Sequence, residues 1–296
     1  MRPVLRLPLT TAAVAGAGLA YAMWEARQFR LRRVDVPVLE SGEKPLRILH
    51  ISDLHLVPGQ QAKIDWVGSL ATLQPDLVVN TGDNLAHLDA VPAALDTLSP
   101  LLDLPGVFVM GSNDYYGPRV KNPLGYFRAD TTPKRFGALL PWRDLRDGFL
   151  AAGWDDLDNL RSSRKISDRV IEFVGTDDAH LSYDRYDDVA GPPDPSAELT
   201  IGVTHAPYLR VIDEMTADGI PLIFAGHTHG GQVCLPGVGA LVTNCDLPRS
   251  QAKGLHRRDA SWLHVSGGLG TSPFAPVRFA CPPEATLVTL VQRVAG

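Results

Sequence analysis

Carboxylate, amide and imidazole side chains follow five of the predicted strands in this 296-residue sequence, each at the point where the strand ends. These clusters are Asp53-Leu54-His55, Gly82-Asp83-Asn84, Gly111-Ser112-Asn113-Asp114, His205, and His227-Thr228-His229. Because open α/β sheets gather ligands at the carboxyl ends of their strands, we expect these side chains to meet at one site. Their mixture of oxygen and imidazole donors suits Mn, Fe, Zn or Mg rather than copper or an iron–sulfur cluster.

The spacing within two clusters predicts pairs of ligands on one side of the chain. In an extended backbone, residues two apart point the same way, so Asp53 faces the same side as His55. The same spacing relates His227 to His229. Asp83 follows a glycine at a strand end, where its two oxygens are suited to bridge two cations. Two cations about 3.5–4 Å apart acidify a bridging water into a hydroxide nucleophile, and they offset charge on the oxygens of a phosphate ester.

The elements that must position these residues alternate between short apolar runs and stretches with helical spacing. Strands are predicted at 46–52, 76–80, 106–110, 156–160, 169–175, 199–204, 220–225, 262–266 and 285–292. Helices are predicted at 61–73, 91–104 and 139–151. This alternation is typical of an α/β protein whose sheets are covered by helices. Residues 117–137 are rich in glycine, proline and charge and are predicted to form an irregular loop, either a lid or an insertion.

Composition and missing motifs exclude several function classes. The net charge of -5 offers no basic footprint for nucleic acid. Neither a GxSxG elbow nor a P-loop GxxxxGK[ST] is present, so a serine hydrolase and a P-loop NTPase have no motif support. Cys234, Cys245 and Cys281 form no CxxC pair and are odd in number, so we expect packing residues rather than a disulfide framework or a zinc site.

Taken in chain order, the five clusters resemble the motifs of the calcineurin-like metallophosphoesterases. The resemblance runs from Leu46 to the C-terminus. Residues 226–232 (GHTHGGQ) and 268–290 resemble the membrane-associated YkuE/YaeI-type phosphodiesterase subgroup. The family resemblance implies an α/β fold arranged as a four-layer α/β/β/α sandwich, and it implies hydrolysis of a phosphoester with two divalent metal ions.

The resemblance also implies a role for each matched position. It assigns the first metal to Asp53, His55 and His229, the bridge to Asp83, and the second metal to Asn113, His205 and His227. It assigns the catalytic positions to Asp83, Asn84, Asn113 and Asp114, with Asn84 helping to orient the substrate.

The third motif departs from the family pattern. The family usually has Gly-Asn-His-Asp, in which the asparagine binds metal and the histidine contacts the phosphate or protonates the leaving group. Here the stretch reads Gly-Ser-Asn-Asp. A gapless match puts Ser112 at the ligand position, whereas a shift of one residue keeps Asn113 as the ligand. We favour the shift because an amide oxygen is the better neutral ligand, and either match leaves the usual acid missing.

Other polar residues have structural interpretations beside functional ones. Asp177, Asp178 and His180 form a cluster after a predicted strand, and they either line the cleft or cap a turn. His50 faces away from Asp53 by strand alternation, which predicts a structural role.

The N-terminal region is predicted to be separate from the catalytic domain. We divide the chain into an apolar anchor with a basic flank (1–33), a linker (34–45) and the metallophosphoesterase domain (46–296). Residues 7–24 carry no charge and approach the roughly 17–20 residues needed to cross a bilayer. A membrane-spanning helix is the favoured interpretation, ahead of a cleaved signal peptide and a helix packed on the catalytic domain. Arginines after the span favour a cytoplasmic catalytic domain.

The sequence therefore predicts a membrane-anchored, metal-dependent hydrolase of a phosphomonoester, phosphodiester or pyrophosphate, with a phosphodiester favoured. The anchor and the subgroup resemblance point to a lipid-linked or nucleotide-linked substrate, and no protein partner is predicted. A protein serine/threonine phosphatase and a non-catalytic metal-binding interaction module are the alternatives. The missing histidine predicts a preference for leaving groups that need little protonation, such as pyrophosphate or aryl esters.

Overall fold

The computed structural model describes residues 6–119 and 136–293, with side chains of the first helix from residue 13 onward. Most of the loop predicted at 117–137 lies outside these residues. The helices are α1 (Arg6–Glu25), α2 (Gln61–Ser69), α3 (Ala90–Leu102), α4 (Ser112–Tyr115), α5 (Trp142–Ala151) and α6 (Leu209–Ala217). The strands are β1 (Arg30–Leu39), β2 (Leu46–Ile51), β3 (Leu77–Asn80), β4 (Gly106–Phe108), β5 (Asp155–Asp156), β6 (Arg161–Ile166), β7 (Arg169–Thr176), β8 (Leu199–Thr204), β9 (Leu222–Ala225), β10 (Cys234–Leu235), β11 (Gly239–Ala240), β12 (Gly254–Arg258), β13 (Ser261–Val265) and β14 (Glu284–Gln292).

Two six-stranded sheets form the centre of the fold. The first has the order β1-β14-β2-β3-β4-β5, and the second has the order β12-β13-β9-β8-β7-β6. Strands β2 to β5 run parallel to one another, as do β7, β8, β9 and β13. The predicted mixed α/β fold of two sheets with helices is confirmed.

Three apolar cores hold the layers together. Ile48 and Val79 of the first sheet pack with Phe224 of the second in the core between the sheets. The opposite face of the first sheet packs against α2, α3 and α5, through residues such as Phe149. Helix α6 covers the outer face of the second sheet, where Met215 is fully buried. The parallel strands are buried on both faces, which explains why they read as continuous apolar runs.

The predicted membrane anchor is wrong. Helix α1 spans 20 residues, yet no helix in the described ranges is long and apolar enough to cross a membrane. The physical reason is composition, because alanine, glycine and two threonines make up much of the uncharged stretch. The membrane location was inferred from that anchor and is wrong for the same reason, and the cytoplasmic assignment loses its basis.

The end of α1 packs on the catalytic domain. The backbone nitrogen of Arg278 donates to the carbonyl of Ala22 over 2.9 Å. The ring of Tyr21 meets the edge of Phe279, with ring centroids 5.4 Å apart. These contacts come from the last turn of α1, where Ala22 and Glu25 are buried, whereas most of the earlier described side chains of the helix, such as Val14 and Leu19, are exposed.

Much of the predicted linker is a strand of the first sheet. Strand β1 pairs in parallel with β14 over its whole length, and Val36 lies opposite Leu290. Pro37 interrupts no strand on its outer side, because β1 is the edge of the sheet. Pro37 is therefore compatible with an edge strand. Residues 30–39 belong to the folded domain and do not form a linker.

The substitution Leu39→Ala tests this integration of β1. Leu39 is buried in the core between the sheets, so its truncation should lower the free energy of unfolding by about 2–5 kcal/mol. Asp35→Ala, at an exposed position of the same strand, should change it by less than about 0.5 kcal/mol. Urea denaturation measures both, and equal midpoints for the two variants would contradict the placement of β1.

Candidate metal centre

The ligand residues follow the carboxyl ends of the central strands in strained turns. Left-handed backbone angles occur at Asp53 (φ 53°), His55 (φ 42°), Asp83 (φ 57°), His227 (φ 69°) and His229 (φ 50°). Such angles cost about 1–3 kcal/mol each for residues other than glycine, and they concentrate at functional sites. The chain is thus not extended at these positions, and the side chains converge through tight turns rather than through strand alternation.

Backbone hydrogen bonds fix two of these turns against each other. The nitrogen of Asp53 donates to the carbonyl of Gly82 over 2.8 Å, and that of His55 donates to the carbonyl of Asp83 over 2.9 Å. The loops after β2 and β3 therefore form one paired unit. This pairing supplies the support that the strained angles require.

Four of the predicted ligands form one buried cluster. The ligand atoms of Asp53, His55, Asp83 and His229 all lie within 4.8 Å of one another. The Nε2 atoms of His55 and His229 are 3.0 Å apart, and the Nε2 atom of His229 is 3.6 Å from Oδ1 of Asp53. The Nδ1 atom of His229 lies 3.2 Å from the carbonyl of Gly270, which can only accept. Nη2 of Arg278 also lies 3.2 Å from this Nδ1 atom. The two contacts orient the ring so that Nε2 faces the cluster.

Two further histidines converge on the other side of Asp83. The Nε2 atom of His205 is 3.5 Å from Oδ1 of Asp83 and 3.3 Å from Nδ1 of His227. The outer nitrogen of His205 lies 2.6 Å from the carbonyl of Thr81, and that of His227 lies 3.3 Å from the carbonyl of Asn244. Because carbonyls accept hydrogen bonds, the outer nitrogen of each histidine donates. Nε2 of His205 is thereby directed toward Asp83, and Nδ1 of His227 toward Nε2 of His205.

These residues fit a pair of divalent cations. The imidazole nitrogens and the carboxylates of Asp53 and Asp83 converge in the buried interior, and backbone carbonyls orient three of the rings from outside. Asp83 lies between the two groups, which is the position of a bridging ligand. The cluster of aspartates and histidines is placed to hold a dinuclear metal site, and its donors accommodate Mn, Fe, Zn and Mg alike.

Two glycines allow the loops to approach this closely. A Cβ atom on Gly111 would lie 2.4 Å from Oδ1 of Asp83, and one on Gly226 would lie 2.0 Å from Oγ of Ser52. Any side chain at these positions would push the ligand loops apart.

Asn113 lies beside the central carboxylate. Its backbone nitrogen donates to Oδ1 of Asp83 and its Nδ2 atom donates to Oδ2, both over 2.7 Å. Turning the amide by 180° would exchange its nitrogen for its oxygen, so the same side-chain position is compatible with a metal ligand.

Asp114 and Asn84, predicted as catalytic residues, are fully buried and bind the loops of the site. Asp114 accepts hydrogen bonds from the backbone nitrogens of Asp83, Asn84, Leu85 and Gly111, over 2.7–3.2 Å. Burial and the charge of Asp83 raise the pKa of Asp114 to about 7, whereas these donors favour its carboxylate. The side chain of Asn84 bonds to Asn80 and Asp114. Both residues therefore position the turn that carries Asp83, and neither side chain has exposed surface.

In the polar cluster after β7, Asp178 caps a turn and His180 lines the cleft. Oδ1 of Asp178 accepts from the backbone nitrogen of His180 over 2.9 Å, which caps the turn. The ring of His180 lies against that of His227, with centroids 4.6 Å apart, and its Nδ1 is 3.1 Å from the hydroxyl of Tyr208. His180 therefore borders the site. Sequence spacing gave no signal for this contact, because 47 positions separate the two histidines.

The electrostatics of the site are those of a charged centre in a buried interior. Burial opposes ionisation of Asp83, but His205 and His55 hold its pKa well below its usual range. Burial raises the pKa of Asp53 to about 6 and lowers that of His229 well below its ordinary value. Burial also disfavours the charged form of His205, but the surrounding carboxylates, Asp83 first, raise its pKa to about 9.

The family of this protein follows from these motifs and from sequence comparison. The family described as calcineurin-like phosphoesterase matches residues 46–231, and the chain belongs to it. The chain is a metal-dependent phosphoester hydrolase, as predicted.

Similar proteins cover nearly the whole chain. It is 30% identical over 287 residues to the uncharacterized protein YpbG of Bacillus subtilis, across 95% of each chain. It is 26% identical to the phosphodiesterase YaeI of Escherichia coli, across 96% of this chain and 97% of YaeI. It is 25% identical to the uncharacterized metallophosphoesterase YkuE of Bacillus subtilis, across 94% and 92%. The resemblance to the YkuE and YaeI proteins is thereby confirmed.

Metal binding should release a proton from His205. With a pKa of about 9, His205 is protonated at neutral pH in the metal-free protein, and a cation at its Nε2 atom must displace that proton. Affinity for one ion should therefore rise up to about tenfold per pH unit until pH 9 is approached. Calorimetric titration with Mn²⁺ at pH 7, in two buffers of different ionisation enthalpy, counts the protons. Identical heats in both buffers would refute the expectation.

Proposed function

We propose that the protein hydrolyses phosphodiester bonds at the candidate metal centre. The observation that carries the proposal is the position of Asp83, which lies between the pair His55–His229 and the pair His205–His227. The name of the relative YaeI, a phosphodiesterase, supports a diester over a monoester.

The proposed ligands follow the family assignment. The first ion is held by Asp53, His55 and His229, the bridge is Asp83, and the second ion is held by Asn113, His205 and His227. Two bound cations would acidify water and offset the negative charge of the phosphoryl oxygens.

The chain's own contribution is mainly orientation. Phosphoryl transfer depends largely on positioning and electrostatic stabilisation, and here buried carbonyls fix the direction of three ligand rings. The backbone nitrogen of Asn113, at the start of α4, donates to Oδ1 of Asp83 and fixes one of its carboxylate oxygens. The enzyme needs no nucleophilic side chain under this proposal.

The substrate class is broader than the one first predicted. The preference for a lipid-linked substrate depended partly on the membrane anchor, and that support is gone. A diester with an activated leaving group remains the proposal, because the third motif carries Ser112 and Asn113 in place of the family's Asn-His pair.

Removing the bridging carboxylate tests the function. Asp83→Ala should lower metal-dependent turnover of bis-nitrophenyl phosphate by more than about 10²-fold, since loss of even an outer-shell partner typically costs about 10–100-fold. The protein is stripped of metal and assayed with Mn²⁺, Mg²⁺ or Zn²⁺ added back. Asp65→Ala, on the exposed face of α2, serves as the control and should retain turnover. Equal turnover of the Asp83 variant and the unmodified protein would exclude this centre as the site of hydrolysis.

The leaving-group preference is tested with a series of diesters. A general acid typically contributes about 10²–10⁴-fold, so alkyl diesters should be hydrolysed more slowly than nitrophenyl diesters by a factor of this order. Steady-state rates are compared after burst experiments have established that chemistry limits turnover. Similar rates across the series would show that another group protonates the leaving oxygen.

A further inference from the structure

Arg278 is a fully buried cation at the edge of the metal centre. It lies between β13 and β14, and its side chain has no exposed surface. A guanidinium taken out of water is costly unless hydrogen bonds and opposite charge compensate it. The burial of this charged group therefore has to be explained by the contacts that it makes.

The guanidinium group binds carbonyl oxygens of the turn that carries His229, of the segment 267–270 and of Cys281, three residues along the chain. Nη1 donates to the carbonyls of His229 (3.3 Å), Gly267 (2.8 Å) and Cys281 (3.3 Å), and Nη2 donates to those of Gly268 (3.0 Å) and Gly270 (2.7 Å). None of the hydrogen bonds described for this side chain goes to a carboxylate. The planar fork thus acts as a joint between the turn that carries His229 and the segment 267–270.

The same segment orients the imidazole of His229. The carbonyl of Gly270 lies 3.2 Å from Nδ1 of His229 and 2.7 Å from Nη2 of Arg278. One carbonyl has two lone pairs and can accept from both donors. Nη2 of Arg278 also lies 3.2 Å from Nδ1 of His229 itself. Arg278 therefore contacts both the ring of His229 and the carbonyl beside it, and so holds the ring with Nε2 toward the metal centre.

The segment 267–270 also supports Asp53. A Cβ atom on Gly268 would lie 2.8 Å from the Cβ of Asp53, and one on Gly270 would lie 2.3 Å from the carbonyl of Leu54. The backbone nitrogen of Leu269 donates to the carbonyl of Ser52 over 3.0 Å. Because of these contacts, a displacement of the segment 267–270 would move both Asp53 and His229.

We propose that Arg278 is a positioning residue for the first metal ion, holding His229 and Asp53 in the geometry in which they bind it together. The proposal rests on the ligand assignment made under the proposed function. Lysine cannot reproduce the role, because a single ammonium group does not present the rigid fork that reaches both segments at once.

Arg161 provides a matched control elsewhere in the fold. Its guanidinium also donates to several carbonyls, those of Val189, Gly191 and Pro192, and it pairs with Glu172. Arg161 contacts no proposed ligand of the metal centre in the described contacts. Arg161→Lys therefore removes hydrogen bonds to carbonyls near the second sheet only. Because the side chain of Arg161 is 29% exposed and that of Arg278 is buried, the free energy of unfolding of each variant is measured beside its metal affinity. Arg161→Lys then shows what the loss of carbonyl hydrogen bonds alone does to metal binding.

The experiment measures metal binding without substrate. Metal-free protein is titrated with Co²⁺, and the visible spectrum and the heat of binding are followed. In Arg278→Lys, one of two binding steps should weaken about 10–100-fold, as for other partners of metal ligands, and the spectrum of that ion should change. Arg161→Lys should bind both ions as the unmodified protein does, and excess Co²⁺ should restore the weakened site of Arg278→Lys.

The same substitution is also made in a His229→Ala protein, which tests whether Arg278 acts through His229. If Arg278 acts through His229, Arg278→Lys should weaken metal binding much less in a His229→Ala protein than in the unmodified one. Circular dichroism checks folding of each variant, and Arg278→Gln is used if the lysine variant does not fold. Unchanged affinities and spectra in a folded Arg278 variant would overturn the proposal, and so would failure of both variants to fold. A protein that binds two ions normally but hydrolyses no diester would instead count against the proposed function.

Discussion

The turn after β3 depends on one buried carboxylate, and the rest of the site depends on that turn. Asp114 accepts hydrogen bonds from four backbone amides, three from consecutive residues of the turn and one from Gly111, just before α4. Hydrogen bonds between amides and a carboxylate are charge-assisted and stronger than neutral ones. They can hold Asp83 in a left-handed conformation that its side chain alone would not favour. The backbone of Asp83, the proposed bridging ligand, is thus fixed by protein contacts alone.

The second sheet joins the first through the ligand residues themselves. The backbone nitrogen of His227 lies 3.1–3.2 Å from both oxygens of Asp53, across the gap between the sheets. Gly226, which has no Cβ atom, permits this contact. Cations bound between the sheets would add to contacts that already exist, so the centre is largely formed in advance. Such preorganisation lowers the cost of ordering the ligands when an ion binds.

The convergence of Asp53, His55, Asp83 and His229 could be predicted from sequence because these residues follow apolar strands at fixed offsets. The reason given for their pairing was incomplete, since Asp53 and His55 adopt left-handed turns and not an extended chain. The role of Asp114 in binding backbone amides was missed because every residue type except proline has such an amide, so the sequence does not show which ones it binds. Arg278 was missed for a related reason, since its partners are carbonyls from a distant turn. The only signal was an arginine in an otherwise apolar, proline-rich segment.

The N-terminal region shows a different limit of sequence reasoning. Residues 34–45 were predicted to form a linker, but β1 pairs with β14, more than 240 residues away in the sequence. Pairing at such a separation is set by the shape of the whole sheet and has no local pattern. The uncharged stretch at residues 7–24 led to the opposite error. Its local pattern suggested a membrane span that the structure does not support.

The position of β14 has a consequence for the order of events during synthesis. This strand lies between β1 and β2, so the edge of the first sheet stays open until residues 284–292 have left the ribosome. Until then, β1 and the outer side of β2 present unpaired backbone groups and apolar side chains to the surroundings. Chains that emerge slowly, or that are truncated near the end, would keep such edges exposed to other nascent chains. Strand β14 therefore closes the sheet edge between β1 and β2.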